Sequence, residues 1–247
     1  MPLMKEPKDY IIFPLDLSDY DQVMHYVDLL KDHIGLFKVG LELFISQGPG
    51  ILGSIRDAGG PGIFLDLKLH DIPATVKRAF LAASRYLPEF VSIHCDEGKE
   101  TLKGIAENSP ERTRILAITV LTSLNQKNLF ELGYRDEYVN DLSRLALLRA
   151  RIAKEAGCHG IVCSGHEVAM IKDALGPDLI AVTPGIRPQW SLVGQDDQKR
   201  IVTPQTAVRM GADYIVVGRP IRDAKDPAEA AKLVADEIAQ ALAPSFS

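Results

Sequence analysis

Apolar and polar positions along this chain switch period again and again, from two to three or four and back. Ile11-Ile12-Phe13-Pro14-Leu15-Asp16-Leu17 is a short apolar run that predicts a first strand ending near Asp16. Ser18 then suits an N-cap with Asp21 three residues on, and Val23, Val27 and Leu30 fall on one helical face. Phe37 to Leu41 predicts a second strand with Lys38 inside it, and Ile51, Ile55 and the stop at Gly59-Gly60 mark the next helix. In the third strand Ile63, Leu65, Leu67 and Leu69 alternate with Phe64, Asp66, Lys68 and His70. Side chains two apart share a face, so Asp66, Lys68 and His70 are expected to point the same way. Asp71 follows where the strand gives out, and Pro73 suits the first position of a helix, where its missing N–H is not needed.

The alternation continues with a helix from about Pro73 to Tyr86, a strand Phe90 to Cys95 carrying His94, and a helix Lys99 to Ala106. A strand Ile115 to Leu121 runs into Thr122-Ser123, and a longer insertion leads to a helix through Leu142, Leu145, Ala146 and Ile152. Strand Gly160 to Cys163, a helix from about Glu167 and strand Leu179 to Thr183 follow. Thr203-Pro204 opens a helix ending near Gly211, Tyr214 to Val217 is the last strand, and Val234, Ile238 and Leu242 share a face of the last helix. Eight strands, each followed by a helix, predict parallel pairing, and the 247-residue length suits a single-domain α/β (β/α)8 TIM barrel over residues 1–247, with 1–10 as an N-terminal extension. A doubly wound open sheet is the alternative, but no GxGxxG follows the first strand, and the period is too irregular for a solenoid.

Composition narrows the function. With 46% hydrophobic and 25% charged residues and a net charge of −5, the chain has a full core and no broad surface for nucleic acid or membrane. A bound phosphate would need a local site. The cysteines, Cys95, Cys158 and Cys163, form no CxxC pair and read as reduced thiols with no zinc site. The charged N-terminus has no apolar signal region and no run approaches a membrane span, so the expected location is the cytoplasm.

Charges on alternate strand positions usually form a solvated face. A strand covered on both sides, as in a barrel, has no water face to give them. Barrel active sites sit at the C-terminal strand ends. There the chain places Asp16, Lys38, Asp66, Lys68, Asp71, His94, Thr122, Ser123, Arg187 and Arg219. Gly185 with Arg187 and Gly218 with Arg219 stand at the ends of strands seven and eight, where barrels commonly bind phosphate. Glycine lets the backbone approach the oxygens and arginine offers a planar fork of donors. The loop from Pro188 to Arg200 is long enough to act as a lid, and Trp190 is either its packing anchor or a substrate contact.

Asp66-x-Lys68-x-x-Asp71, Lys38-Val-Gly, Thr122-Ser123, Thr183-Pro-Gly-Ile-Arg187-Pro and Val217-Gly-Arg219-Pro arrive in one order over almost the whole chain, and together they resemble the orotidine 5′-phosphate decarboxylase family. The resemblance implies a barrel homodimer that converts orotidine monophosphate to uridine monophosphate and CO₂ without metal or cofactor, closing pyrimidine synthesis. It implies Lys68 as proton donor to C6, Asp66 as its holder beside the leaving carboxylate, and Asp71 as a group reaching the partner's site. Lys38 would complete the charge network and Asp16 would bind ribose hydroxyl. Thr122 and Ser123 would read the pyrimidine, and Arg187, Gln198, Gly218 and Arg219 would hold the phosphate, with Thr75 and Pro184 also among the substrate contacts. For the loop glutamine, Gln195 and Gln189 compete with Gln198, which is favoured because Asp197-Gln198-Lys-Arg-Ile matches the family's run.

Losing CO₂ from C6 leaves an electron pair in the ring plane, where the ring delocalises it poorly. A pre-set ammonium meets that charge and carries a transferable proton. Two other readings compete. Metal-dependent sugar-phosphate decarboxylases or aldolases share the barrel and a similar DxKxxD, but they place a Glu on the second strand where this chain has Lys38. A non-catalytic nucleotide-monophosphate binder needs the phosphate site but not Asp66, Lys68 and Asp71 together.

Overall fold

Eight parallel strands close into a barrel in chain order: β1 (Ile11–Pro14), β2 (Leu36–Gly40), β3 (Ile63–Leu69), β4 (Phe90–His94), β5 (Arg114–Ile118), β6 (Gly160–Val162), β7 (Ile180–Thr183) and β8 (Tyr214–Val216). β8 returns to β1 through Ile11 opposite Ile215 and Ile12 opposite Val216. The computed structural model describes residues 5–191 and 202–243. Around the barrel run α1 (Tyr20–Leu30), α2 (Leu41–Gln47), α3 (Gly50–Asp57), α4 (Pro73–Ser84), α5 (Lys99–Ala106) and α6 (Gln126–Glu131). They continue as α7 (Asp136–Asn140), α8 (Leu142–Glu155), α9 (Val168–Leu175), α10 (Pro204–Arg209), α11 (Arg219–Arg222) and α12 (Pro227–Leu242). No helix among the described residues is long and apolar enough to cross a membrane.

The period of two divides each strand between two cores. Ile11, Phe13, Val39, Leu65, Val91 and Ile215 pack outward with Val23, Val27, Ile55, Phe80 and Val234 of the helices. Ile12, Leu36, Phe64, Phe90, Leu116 and Val182 fill the barrel. Burying a side chain such as Phe64 contributes roughly 1.5–3 kcal/mol, so this plug is what makes the barrel a packed core. Phe90 meets Phe64 edge-on at 6.1 Å and Tyr214 at 5.3 Å. The N-terminal segment seals the base: Lys5 Nζ lies 3.4 Å from the Tyr214 ring centre and 3.9 Å from that of Tyr10, and it donates to the carbonyl of Asp213. Burial pushes its amine down to about 8, against Asp213 and Asp9 and with help from Arg114. Cys95, Cys158 and Cys163 are buried free thiols, and burial pushes Cys158 up to about 12.

Several local expectations are corrected. β1 stops at Pro14, although the Leu15 N–H still bonds to the Lys38 carbonyl at 2.9 Å. The cap of α1 is Asp19, whose side chain accepts from Gln22 N–H, while the Ser18 hydroxyl is drawn off to Glu42 at 2.7 Å. Leu41 opens α2 instead of ending a strand, and β5 ends at Ile118 instead of Leu121. The insertion holds α6 and α7, and Gly218-Arg219 leads into the one-turn α11.

Candidate active site

β3 carries the centre of the site, and its geometry departs from plain alternation. Leu65 pairs with Val91 and Leu69 with Ile93, so a step of four residues on β3 (65 to 69) faces a step of two on β4 (91 to 93). This bulge brings Lys68 into the left-handed region at φ 49°. That conformation costs an L-residue roughly 1–2 kcal/mol. The Lys68 N–H is compensated by Ser92 Oγ on β4 at 2.8 Å. Bulges bend a strand and re-aim side chains. Here the result is Lys68 Nζ folded back to 2.6 Å from Asp66 Oδ2.

Asp66 is the buried hub. Lys38 Nζ lies 3.7 Å from the same oxygen and 3.0 Å from Asp16 Oδ1, and Ser92 Oγ donates to Asp66 Oδ1 at 2.8 Å. Burial alone would raise the carboxyl. The charges of Lys38 and Lys68 and the hydrogen bonds from Lys68 and Ser92 outweigh it and hold Asp66 below the usual carboxylate range. Gly40 leaves the room this needs, since a Cβ there would stand 3.1 Å from Lys38 Nζ and 3.5 Å from Asp16 Oδ1.

Two adjoining cavities open at the strand ends and share Lys38, Pro184 and Val216. The first, of about 210 Å³, holds Asp66, Lys68 and Thr122 above a floor of Phe64, Ile118 and Val162. It sets charged groups against one wall of an apolar chamber, where electrostatic interactions are strong. The second, of about 200 Å³, is lined by Asp16, Gly185, Arg187, Gly218, Arg219 and Arg222. Gly185, at φ 78°, turns the chain after β7 in a conformation that favours glycine. Three arginines line this cavity at the ends of β7 and β8, the place where barrels commonly bind phosphate.

The structure thus brings together Asp16, Lys38, Asp66, Lys68, Thr122, Pro184, Arg187, Gly218 and Arg219. It places others apart. Asp71 is exposed, its Oδ1 accepts the Ile72 N–H at 2.6 Å, and among the described residues no ion pair joins it to Lys68 of the same chain. Thr75 lies in the first turn of α4 and Ser123 is exposed beyond β5, and neither lines the two cavities. The bulge takes His70 out of the expected row with Asp66 and Lys68: its Nδ1 lies 2.6 Å from Glu97 Oε1 and its ring rests 5.4 Å from His94. Burial, aided by His70, Lys68 and Arg149, holds His94 below its ordinary value against Asp96. Trp190 sits 40% exposed on a short 3-10 turn, and Gln189 gives its N–H to Glu237 at 3.1 Å. Gln195, Gln198 and the rest of that loop to Arg200 lie outside the described residues.

Three participants escaped the sequence reading. Ser92 was a lone hydroxyl in Phe-Val-Ser-Ile-His, in step with Phe90 and so directed inward. Arg222 stands one helical turn beyond Arg219. Glu97 gave no signal, because its partners come from another strand.

The closed barrel and its strand-end cluster of ammonium groups around a buried carboxylate define a (β/α)8-barrel enzyme of the decarboxylase class. Residues 9–234 match the orotidine 5′-phosphate decarboxylase / HUMPS family, and the chain belongs to that family. It is 48% identical over 239 residues to a protein of Desulfosudis oleivorans named orotidine 5′-phosphate decarboxylase, covering 96% of each chain. It is 41% identical to one of the same name from Geobacter sulfurreducens, over 94% of this chain and 97% of that one. The crystal structure of orotidine 5′-phosphate decarboxylase from Lactobacillus acidophilus superposes with a TM-score of 0.79 at 32% identity, covering 92% of this chain and 98% of that chain.

Proposed function

We propose that this enzyme converts orotidine 5′-monophosphate to uridine 5′-monophosphate and CO₂, the last step of pyrimidine nucleotide synthesis, with no metal or cofactor. The observation that carries the reading is the Lys68 ammonium, held 2.6 Å from Asp66 in a chamber that opens onto three arginines. The C6–carboxylate bond breaks, its electron pair stays on C6, and Lys68 Nζ delivers the proton that takes it up. A fixed cation beside the developing charge costs no reorganisation at the moment of reaction. Lys38 adds a second positive charge to the network, and it stands where a metal-dependent relative of this barrel would need an acid.

The remaining roles follow from position. Thr122, with Ser123 and Pro184, would contact the pyrimidine and Asp16 the ribose. Arg187, Gly218, Arg219 and the loop glutamine Gln198 would hold the phosphate, and Thr75 would lie at the edge of the shared site. Asp71 would complete the site of a second copy. In support, Asp71 is exposed just beyond the end of β3, beside Ile72, an apolar residue 66% exposed. We place the enzyme in the cytoplasm as one domain, residues 1–247, with 1–10 as an extension. The test is loss of orotate absorbance, with CO₂ release, from orotidine monophosphate in chelator-treated buffer. Turnover that vanishes on chelation and returns with magnesium would defeat the metal-free reading, and no turnover under either condition would defeat the assignment.

A further inference from the structure

Glu97 carries a carboxylate that the chemistry above leaves unused. It closes the 3-10 turn Cys95–Glu97 after β4, and its side chain is only 2% exposed. One oxygen, Oε1, accepts from two neighbours at the far end of β3: His70 Nδ1 at 2.6 Å and the Asp71 N–H at 3.1 Å. A carboxylate can only accept, so the proton on His70 lies on Nδ1. The His70 ring also rests on His94, 5.4 Å away on β4.

His70 and Asp71 follow directly on the irregular part of β3. The bulge ends at Leu69, Lys68 precedes it with its left-handed backbone, and His70 and Asp71 follow. Ser92 secures the segment at Lys68 N–H and at the Asp66 carboxylate, and Glu97 secures it at His70 and Asp71. A left-handed residue in a strand persists only when its surroundings over-determine it. Here β4 supplies one fastening, at Lys68 and Asp66, and the turn that follows β4 supplies the other, at His70 and Asp71.

We infer that Glu97 is a positioning residue for the decarboxylation: it clamps residues 68–71, setting with one carboxylate both the approach of the Lys68 ammonium and the outward aim of Asp71. The inference rests on the proposed reaction. Glu97 touches no wall of either cavity, so its loss would leave the phosphate and pyrimidine contacts in place. It would instead let Lys68 and Asp71 drift, and a displacement near 1 Å at a reacting group costs up to about a hundredfold in rate.

The experiment compares Glu97→Ala, Glu97→Gln, His70→Ala and His70→Asn with the wild-type enzyme, measuring kcat and KM for orotidine monophosphate and the affinity for uridine monophosphate. Wild-type turnover in the same assay establishes the underlying reaction, so its absence counts against that reading alone. With the wild type active, Glu97→Ala should lose at least about tenfold in kcat, with KM and product affinity within about twofold. Glu97→Gln keeps an acceptor, and His70→Asn keeps a donor in the place of Nδ1, so both should stay within about threefold of wild type. Unchanged kcat in Glu97→Ala, or equal losses of kcat and product affinity, overturns the inference. If Glu97→Ala does not fold, His70→Ala, a change at an exposed ring, decides: a several-fold fall in kcat at constant KM supports the clamp and wild-type kcat overturns it.

Discussion

Ser92 gives its hydroxyl hydrogen to Asp66 Oδ1 at 2.8 Å, from the strand next to the one that carries the carboxylate. The Ser92 Oγ itself accepts the Lys68 N–H at 2.8 Å, so a single buried hydroxyl completes the hub and stabilises the bulge beside it. Ser92→Ala leaves one buried acceptor and one backbone donor short of a partner, which costs about 1–3 kcal/mol. We expect the melting temperature to fall by several degrees and kcat to fall with it, while uridine monophosphate binding stays near wild type. Thermal denaturation beside steady-state kinetics checks both. A Ser92→Ala enzyme with unchanged kcat would show that Asp66 needs only its lysines.

Asp66 predicts a pH dependence of stability. Its folded-state carboxyl lies below the ordinary value. Between the two values the unfolded chain binds a proton that the folded chain does not, so stability rises with pH across that window. The contribution is fully present above about pH 4 and is lost as pH falls through the folded value. Burial is the largest single influence and acts to raise the carboxyl. Removing one ammonium, as in Lys38→Met, takes away one of the influences that oppose burial and should therefore move Asp66 upward. Acid unfolding of wild type, Lys38→Met and Asp66→Asn reads this directly, and an acid limb that does not move to higher pH in Lys38→Met would refute it.

The limits of the sequence reading have physical causes. The eight-fold alternation was legible because each strand and helix repeats its own period over several residues, and the strand-end charges followed from it. The bulge in β3 was invisible: Leu65, Leu67 and Leu69 keep a period of two through it, and only the pairing with β4 reveals the slip. His70 was misplaced for that reason. Ser18 and Asp19 are both competent caps, and Glu42, distant in sequence, decided between them by taking the serine. The short helices α2, α6 and α7 are too brief to form on propensity alone, so packing creates them. Glu97 belongs to the same class, since its role exists only where β3 and β4 meet.

The three arginines of the second cavity should not be equal. Arg222 already spends its fork on Asp223, with Nε 2.7 Å from Oδ1 and one terminal nitrogen 3.2 Å from Oδ2. Arg219 follows directly on Gly218, just beyond β8, and lines the cavity together with Pro184 and Gly185. A hydrogen bond to a charged group is worth about 1.5–3 kcal/mol, so Arg219→Ala should lower kcat/KM for orotidine monophosphate by roughly 10- to 150-fold. Arg222→Ala should cost less than about tenfold. On the nucleoside lacking phosphate both variants should match wild type. Equal losses on the nucleotide and the nucleoside would remove the phosphate role from this cavity.

Lys5 predicts a second pH effect, at the opposite end of the barrel. Its amine is held at about 8 by burial against an ordinary value of 10.5. Between those values the unfolded chain carries a proton that the folded chain lacks, so this residue makes stability increase with pH from about 8 upward and adds no slope below it. Lys5→Met fills the space between Tyr10 and Tyr214 without a titrating group. The difference in unfolding free energy between wild type and Lys5→Met should therefore rise in favour of wild type from pH 8 to 10.5 and stay flat between pH 6 and 7.5. The ring faces 3.4 Å and 3.9 Å from Nζ favour the ammonium and oppose this. Denaturant titrations across the range decide between them: a flat difference through pH 10 would mean that the aromatic faces keep Lys5 charged and that the base of the barrel is sealed by a cation.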